Sequence, residues 1–531
     1  MIVTVTIGDQ AKQVLLKHGY LPNHLPPLFS SVGFAGAASQ IDRTLQLRAD
    51  GRKPWTEPVR FSAARLNGLR RRMAMPNPYS FLRLADEIGV QWTTLDSHWK
   101  GSTLSVSRPR YESTAKGLSN SASFHEREQR RLAAATRARF RLNADIAQCY
   151  ASIYTHALSW ALTNKPDSKL NLSNPSWPGA LLDRLLREAQ DGQTVGVPIG
   201  PDSSLVAAET ILCAVDQRLQ AHSNKWIDAF RAIDDYEIFV AKRSDAEDLL
   251  NLLQTELSDF ELGLNASKTF IDEAPFLLEA PWKSTLMLTA PTGSLLRAAK
   301  VRAFANEVFD LAQRYPGDAV INYALRIADS LDCTTTGHKI LIDVALATLR
   351  FSPPSIRYAL RSIMNRLQKM DMDRAALWTC LNEMITEGAR IGNSYEVTWG
   401  LWALLVSDGK VDAVASAAAA AMDDPFSLTA YMRMTDLHRT NGDFPARLTQ
   451  MGSESLTECS DAWILAYEAY VRGWAKPGSL PTSPFFDRLK DLNVSFIDDA
   501  VVPLALSDDA EEFDPADFDI ADLGWFEAGY E

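Results

Sequence analysis

The stretch FRLNADIAQCYASIYTH, Phe140–His156, sets the class of fold. Phe140, Leu142, Ala144 and Ile146 recur at every second position, the period of a strand with one buried face. Asp145 falls between two of them, so its side chain is expected on the opposite, open face. Downstream, Gln193–Pro201 (QTVGVPIGP) holds glycines and prolines that fix a bent backbone. Leu205, Ala208, Leu212, Val215 and Leu219 then recur at spacings of three and four, which predicts an amphipathic helix. Phe230–Val240 is apolar on both sides of Asp234-Asp235, as when two strands meet at a tight turn. Ser244 with Glu247 reads as a capping box opening a helix that carries Leu249, Leu250, Leu253 and Leu257. The block from 140 to 271 is α+β.

Beyond it the pattern turns helical. Val301, Phe304, Val308 and Leu311 define one helix and Val320, Ala324, Ile327 and Leu331 the next, with Pro316-Gly317 between them. Breaks at Pro353-Pro354, Gly392-Asn393, Asp408-Gly409 and Asp424-Pro425 divide the rest into helices whose short connections favour antiparallel neighbours. The expected organisation is an α+β domain over 1–280, an all-α helical array over 281–480 (a HEAT-like solenoid being one such arrangement), and an acidic tail over 481–531.

Composition narrows the function. The chain has 531 residues, 46% apolar and 23% charged, ordinary for a globular protein of two or three domains. No window reaches the ~18 apolar residues of a membrane span, and the first residues lack the pattern of a signal peptide. A cytoplasmic protein without membrane partners is expected. The five cysteines lie far apart in sequence, which excludes a local CxxC zinc site and gives no sign of a disulfide framework. The net charge of −12 hides two poles: residues 1–141 hold 22 Lys+Arg against 10 Asp+Glu, whereas Asp498–Glu531 holds 12 acidic residues and no basic one. The basic N-terminal part keeps nucleic acid open as a partner despite a pI near 5.3.

An Asp-Asp pair at a tight turn repels itself unless a cation binds there. The Asp234-Asp235 pair suits two Mg²⁺ ions, with Mn²⁺ as a substitute, that activate an attacking hydroxyl and stabilise a leaving oxygen. The stretches around these residues come in a fixed order: Asp145–Tyr150, Gln193–Pro201, Arg231–Tyr236 and Gly263–Lys268. This series resembles motifs A, B, C and D of the reverse-transcriptase palm. DIAQCYASIYTHALSWAL and GVPIGPDSS are similar, more closely, to bacterial abortive-infection polymerases and related defence-associated reverse transcriptases. The resemblance spans roughly residues 15–275; the helical part fits in type only.

The resemblance implies a right-hand palm and fingers, with Asp145, Asp234 and Asp235 as metal ligands and catalytic groups. It implies that Lys268 protonates or neutralises the leaving pyrophosphate. Tyr150 corresponds to the aromatic gate that excludes a ribose 2′-hydroxyl, and Gly196, Pro198 and Gly200 to the segment against template and nucleotide. Arg131, Arg137 and Arg139 fall where such enzymes keep basic residues for the triphosphate. Two positions depart from the pattern. Ala232 stands where most reverse transcriptases have an aromatic, and Gly196–Pro201 replaces the usual Gln-Gly and Ser-Pro. Ordinary template copying is therefore in doubt, and the resemblance implies protein-primed DNA synthesis that need not follow a template.

A protein primer would be a tyrosine hydroxyl that reaches the metals. Tyr20, in an N-terminal segment that could lie over the palm, is the first candidate, and Tyr530 the second. The implied partners are deoxynucleoside triphosphates, a DNA product that the protein could carry covalently, non-coding RNA and further copies of the chain, as a homo-oligomer. Two other readings stay open: an RNA-templated DNA polymerase copying a bound non-coding RNA, and a catalytically degenerate nucleic-acid-binding scaffold.

Overall fold

The structure, a computed structural model, describes residues 6–47, 55–66, 68–111, 117–119, 124–277, 279–367, 370, 373–440, 459–474 and 483–499. Helix α1 (Ile7–Lys17) opens with a capping box in which Thr6 and Asp9 satisfy each other's backbone N–H groups. After α2 (Val32–Ala37), strands β1 (Val59–Ala64) and β2 (Arg70–Met75) form an antiparallel hairpin with Val59 opposite Met75. The long helix α3 (Pro78–Lys100) starts at the Asn77 cap with proline in its first turn, where a missing N–H costs nothing. A two-residue hairpin, β3 (Arg110–Tyr111) with β4 (Leu118–Ser119), and α4 (Phe124–Ala135) follow.

The period-two run is strand β5 (Phe140–Asp145). Short helices α5 (Cys149–Ser152), α6 (Ala157–Leu162) and α7 (Lys165–Leu170), then α8 (Ala180–Glu188), lead to the long α9 (Asp202–His222). Strands β6 (Asp228–Ala232) and β7 (Asp235–Val240), helix α10 (Arg243–Asp259) and strand β8 (Phe270–Glu273) complete one antiparallel sheet in the order β6-β7-β5-β8. Leu142, Ala144 and Ile238 enter the core against α10, while Arg141, Asn143 and Asp145 lie on the other face.

Two local expectations need correction. Helix α9 is not amphipathic in its setting: Ser203 through Asp216 are buried all round, because the helix runs through the centre of the domain. The expected capping box at Ser244 is not formed. Helix α10 starts at Arg243 with Lys242 as its cap, and Glu247 instead pairs with Arg243.

From Pro281 the described chain is helical: α11 (Pro281–Thr289), α12 (Ala298–Arg314), α13 (Val320–Ser330), α14 (Thr335–Phe351), α15 (Ile356–Leu367), α16 (Ala375–Arg390), α17 (Ser394–Val406), α18 (Ala413–Ala420), α19 (Pro425–Asp436), α20 (Trp463–Arg472) and α21 (Pro484–Asp491). The helices break where the Pro, Gly and Asp-Gly signals stand. One apolar core nevertheless runs from Ala11 to Ile497 through both parts. Arg70 of β2 makes a bidentate pair with Glu396 of α17, and Trp399 donates its indole N–H to the His24 carbonyl. Residues 483–499, expected within the acidic tail, form α21 and a bridge from Ile497 to Phe29, with Phe485, Phe486 and Phe496 buried. The remainder of the tail, with Tyr530, lies outside the described residues. Among the described residues no helix is long and apolar enough to cross a membrane.

Candidate active site

The turn between β6 and β7 consists of Ile233 and Asp234, with Ile233 in the left-handed region at φ 54°, a costly conformation for a β-branched residue. Asp235 begins β7 directly opposite Asp145 at the end of β5. The Ile146 N–H donates to the Asp234 carbonyl at 3.1 Å, which closes the turn against β5. The three carboxylates therefore share one end of the sheet. Asp145 is 2% exposed and Asp234 1%, so Asp145 does not project into the open as its strand position implied. It lies on the expected face, but the β6–β7 turn and the loop after α10 cover it.

Both carboxylate oxygens of Asp145 and Oδ1 of Asp234 are buried without a hydrogen-bond partner. Burial, reinforced by Asp235 and Asp145, pushes the Asp234 carboxyl well above its usual range. Burial and the neighbouring Asp145 charge push Asp235 up to about 7. Lys268 opposes these shifts, with Nζ 3.7 Å from Asp145 Oδ2. Its loop is pinned along β5 by Ala147 N–H to Gly263 O and Asn265 N–H to Asp145 O. The donor set is hard, anionic and short of cations, which suits a divalent ion. As the side chains stand, no three His, Cys, Asp or Glu groups among the described residues are arranged to hold one.

A cleft of about 760 Å³ opens beside Asp234, and Tyr150, Gly196 and Pro198 line it. Tyr150, 4% exposed, sits on α5, whose position is fixed by Val197 N–H to Tyr150 O and Gly196 N–H to Ile153 O. Gly196 has φ 86°, and a Cβ there would lie 3.2 Å from the Ala151 carbonyl, so this close approach requires glycine. The opposite wall is the β1–β2 hairpin with Arg60, Arg65, Arg70, Arg71 and Arg72, tied to the Gly196–Gly200 segment by Ala74 N–H to Ile199 O. The sequence signal for this wall was the Arg70-Arg71-Arg72 run, which carried no assignment.

The arginines assigned from sequence do not line this cleft. At about 3.3 Å per residue, Arg139 lies roughly 20 Å along the strand from Asp145. It pairs with Glu273, Arg131 is bound to Glu237, and Arg137 is exposed before the strand begins. Strand β5 thus holds Arg137 and Arg139 away from Asp145, and the pair with Glu237, opposite Asn143, holds Arg131. Tyr20 is also placed elsewhere. Its ring is fully buried against Phe81 and its hydroxyl donates to the Pro76 carbonyl at 2.6 Å, so it packs the core rather than facing the carboxylates.

Beneath the turn lies an ion network absent from the sequence reading. Arg231, fully buried, donates to Glu209 at 2.8 Å, to Asp216 at 2.8 Å and to the Ile233 carbonyl at 2.7 Å. Ser107 Oγ accepts from the Ile233 N–H and donates to Glu209, and the Tyr236 hydroxyl donates to Asp216. Both peptide groups of the strained Ile233 are thus held by side chains. Glu209 and Asp216 gave one signal, as lone charges inside the apolar run of α9.

No protein-family model and no curated protein matches the chain. Similar solved structures include apo telomerase from Candida tropicalis, at 11% identity and TM-score 0.32, covering 70% of this chain and 72% of that one. Telomerase from Candida albicans in complex with a TWJ fragment of telomeric RNA is similar at 11% identity and TM-score 0.26, covering 65% of this chain and 64% of that one. At such scores neither likeness decides the fold family or the activity.

Proposed function

We propose that the chain is a DNA polymerase of reverse-transcriptase type, with palm and fingers in residues 1–280. The observation that carries the reading is the convergence of Asp145, Asp234 and Asp235 at one sheet end, opposite a cleft walled by arginines. Asp145, Asp234 and Asp235 would hold Mg²⁺, or Mn²⁺ in its place. When bound, the ions supply activation of an attacking hydroxyl and charge stabilisation of the leaving pyrophosphate. The buried carboxylate oxygens of Asp145 and Asp234, with Lys268 as their near cation, support that assignment.

The chain's own residues have separate tasks. Arg60, Arg65 and Arg72 in the cleft wall bind the triphosphate, a role that replaces the one expected of Arg131, Arg137 and Arg139. Tyr150 fills the space beside the sugar and favours a deoxyribose. Lys268 holds a positive charge beside Asp145 and is within reach to protonate the leaving group. Gly196 and Pro198 line the cleft against the nucleotide, and Gly200 lets the segment pack closely on Pro22 and Ala74. A role in antiviral defence, self-priming on a tyrosine and homo-oligomerisation rest on the resemblance to abortive-infection polymerases. With Tyr20 in the core, Tyr530 becomes the first residue to test as primer.

The test is incubation of purified protein with labelled deoxynucleotides and Mg²⁺, with no added primer or template. DNA that stays on the protein through boiling in detergent, and is lost in folded Asp145→Asn, is expected. Incorporation undiminished in Asp145→Asn would overturn the reading. Freely separating product that depends on co-purified RNA would favour the RNA-templated polymerase.

A further inference from the structure

A second cavity, of about 670 Å³, lies behind the segment that follows β5. Gln148, Tyr150 and Ala151 line the cleft, whereas Ser152, Tyr154 and His156 line this second space. Gly196 likewise faces the cleft and Val195 the second cavity, so the two spaces adjoin along these segments, with the Tyr154–Val195 bridge as the rim of the second. One wall is aromatic. The Tyr154 ring lies 4.8 Å from His156 and 5.4 Å from Trp160, centroid to centroid. Trp160 is buried, and its indole N–H has no acceptor.

Two lysines also line the cavity. Lys165 Nζ lies 4.3 Å from the Trp160 ring centroid and 2.9 Å from Glu261, which neutralises that carboxylate. Lys169 is exposed and has no ion-pair partner among the described residues. Val195 remains 48% exposed at the rim. Aromatic faces accept any base by stacking, and ammonium groups attract phosphate. Together these are the contacts of one nucleotide unit.

We propose that this cavity seats a nucleotide of a single nucleic-acid strand that continues past the Tyr154–Val195 rim from the catalytic cleft. The inference rests on the polymerase reading. A free mononucleotide offers the same base and phosphate, so the test must separate the two. Binding of a fluorescein-labelled oligothymidylate to the full chain is followed by anisotropy. Tyr154→Ala and Lys169→Glu should each weaken it by roughly tenfold, the scale of one stacked base or phosphate contact. Lys339→Glu, the same charge change on the exposed side of α14, should leave it unchanged.

Wild-type affinity in Lys169→Glu, whose exposed side chain the fold does not need, overturns the proposal. An equal loss in Lys339→Glu also overturns it, since binding would then follow net charge. Thymidine monophosphate competing as well as the oligonucleotide would assign the cavity to a free nucleotide and overturn the strand. A wild-type protein that binds through Lys169 but incorporates no nucleotide would overturn the polymerase reading and leave the strand site standing.

Discussion

The central sheet treats the charged groups at its two ends in opposite ways. Toward the Phe140 end Arg130 pairs with Asp228, Arg139 with Glu273 and Arg141 with Asp272, and at mid-sheet Arg131 pairs with Glu237. At the Asp145 end, three carboxylates meet Lys268 as their near cation. Glu237 and Asp235 lie two residues apart on the same face of β7, so strand geometry is common to the compensated and the uncompensated carboxylate. The difference is compensation. A paired carboxylate is structural, and an uncompensated buried one costs free energy unless something outside the chain supplies the charge.

The sharpest way to break that contrast is the same change at an uncompensated and at a compensated carboxylate. Asp234→Asn should reduce nucleotide incorporation to background with the fold intact. Glu237→Gln should retain incorporation. Loss of activity in Glu237→Gln at unchanged melting temperature would erase the distinction between them. Arg231→Met comes next in size. It leaves Glu209 and Asp216 buried without their cation, and about 3–5 kcal/mol of stability should be lost in a denaturant titration. A loss under about 1 kcal/mol would mean that these groups are solvated or protonated instead.

Glu237→Gln itself should cost only about 1–2 kcal/mol, because its partners Arg131 and Arg141 are partly exposed. The smallest effect sharpens the uncompensated end. Asp235 titrates near 7 when folded against an ordinary 3.8, so the folded metal-free protein binds this proton more tightly than the unfolded chain. Stability in a chelator should therefore fall as pH rises from about 4 to about 7, and Asp235→Asn should flatten that fall. Added Mg²⁺ at higher pH should raise the wild-type melting temperature more than that of Asp235→Asn. Melting curves independent of pH in both proteins would remove the charge deficit from the argument.

Much of the site was legible before the fold. Asp145, Asp234 and Asp235 stood out because charge interrupted apolar strands, and the structure brings all three together with Lys268. Arg137 and Arg139 stand away from the cleft because a strand moves its ends apart, and Arg131 because Glu237 holds it, neither of which adjacency in sequence reveals. Tyr20 showed no periodicity that could distinguish a core ring from a surface nucleophile. Its burial depends on α3 and on the Ile497 segment, which the chain reaches only at its far end.

By itself the sequence determined what local chemistry writes: strand alternation at Phe140–Asp145, the turn at Asp234, the helix breaks from Pro316 onward and the charge poles. These depend on neighbours within a few residues, where steric and hydrophobic periods act. Tertiary structure alone decided which charges are compensated. The pairings of Arg231 with Glu209, Arg70 with Glu396 and Phe29 with Ile497 join residues from 22 to 468 positions apart. No local pattern encodes such contacts, because they form only when separate elements bury their apolar faces against one another.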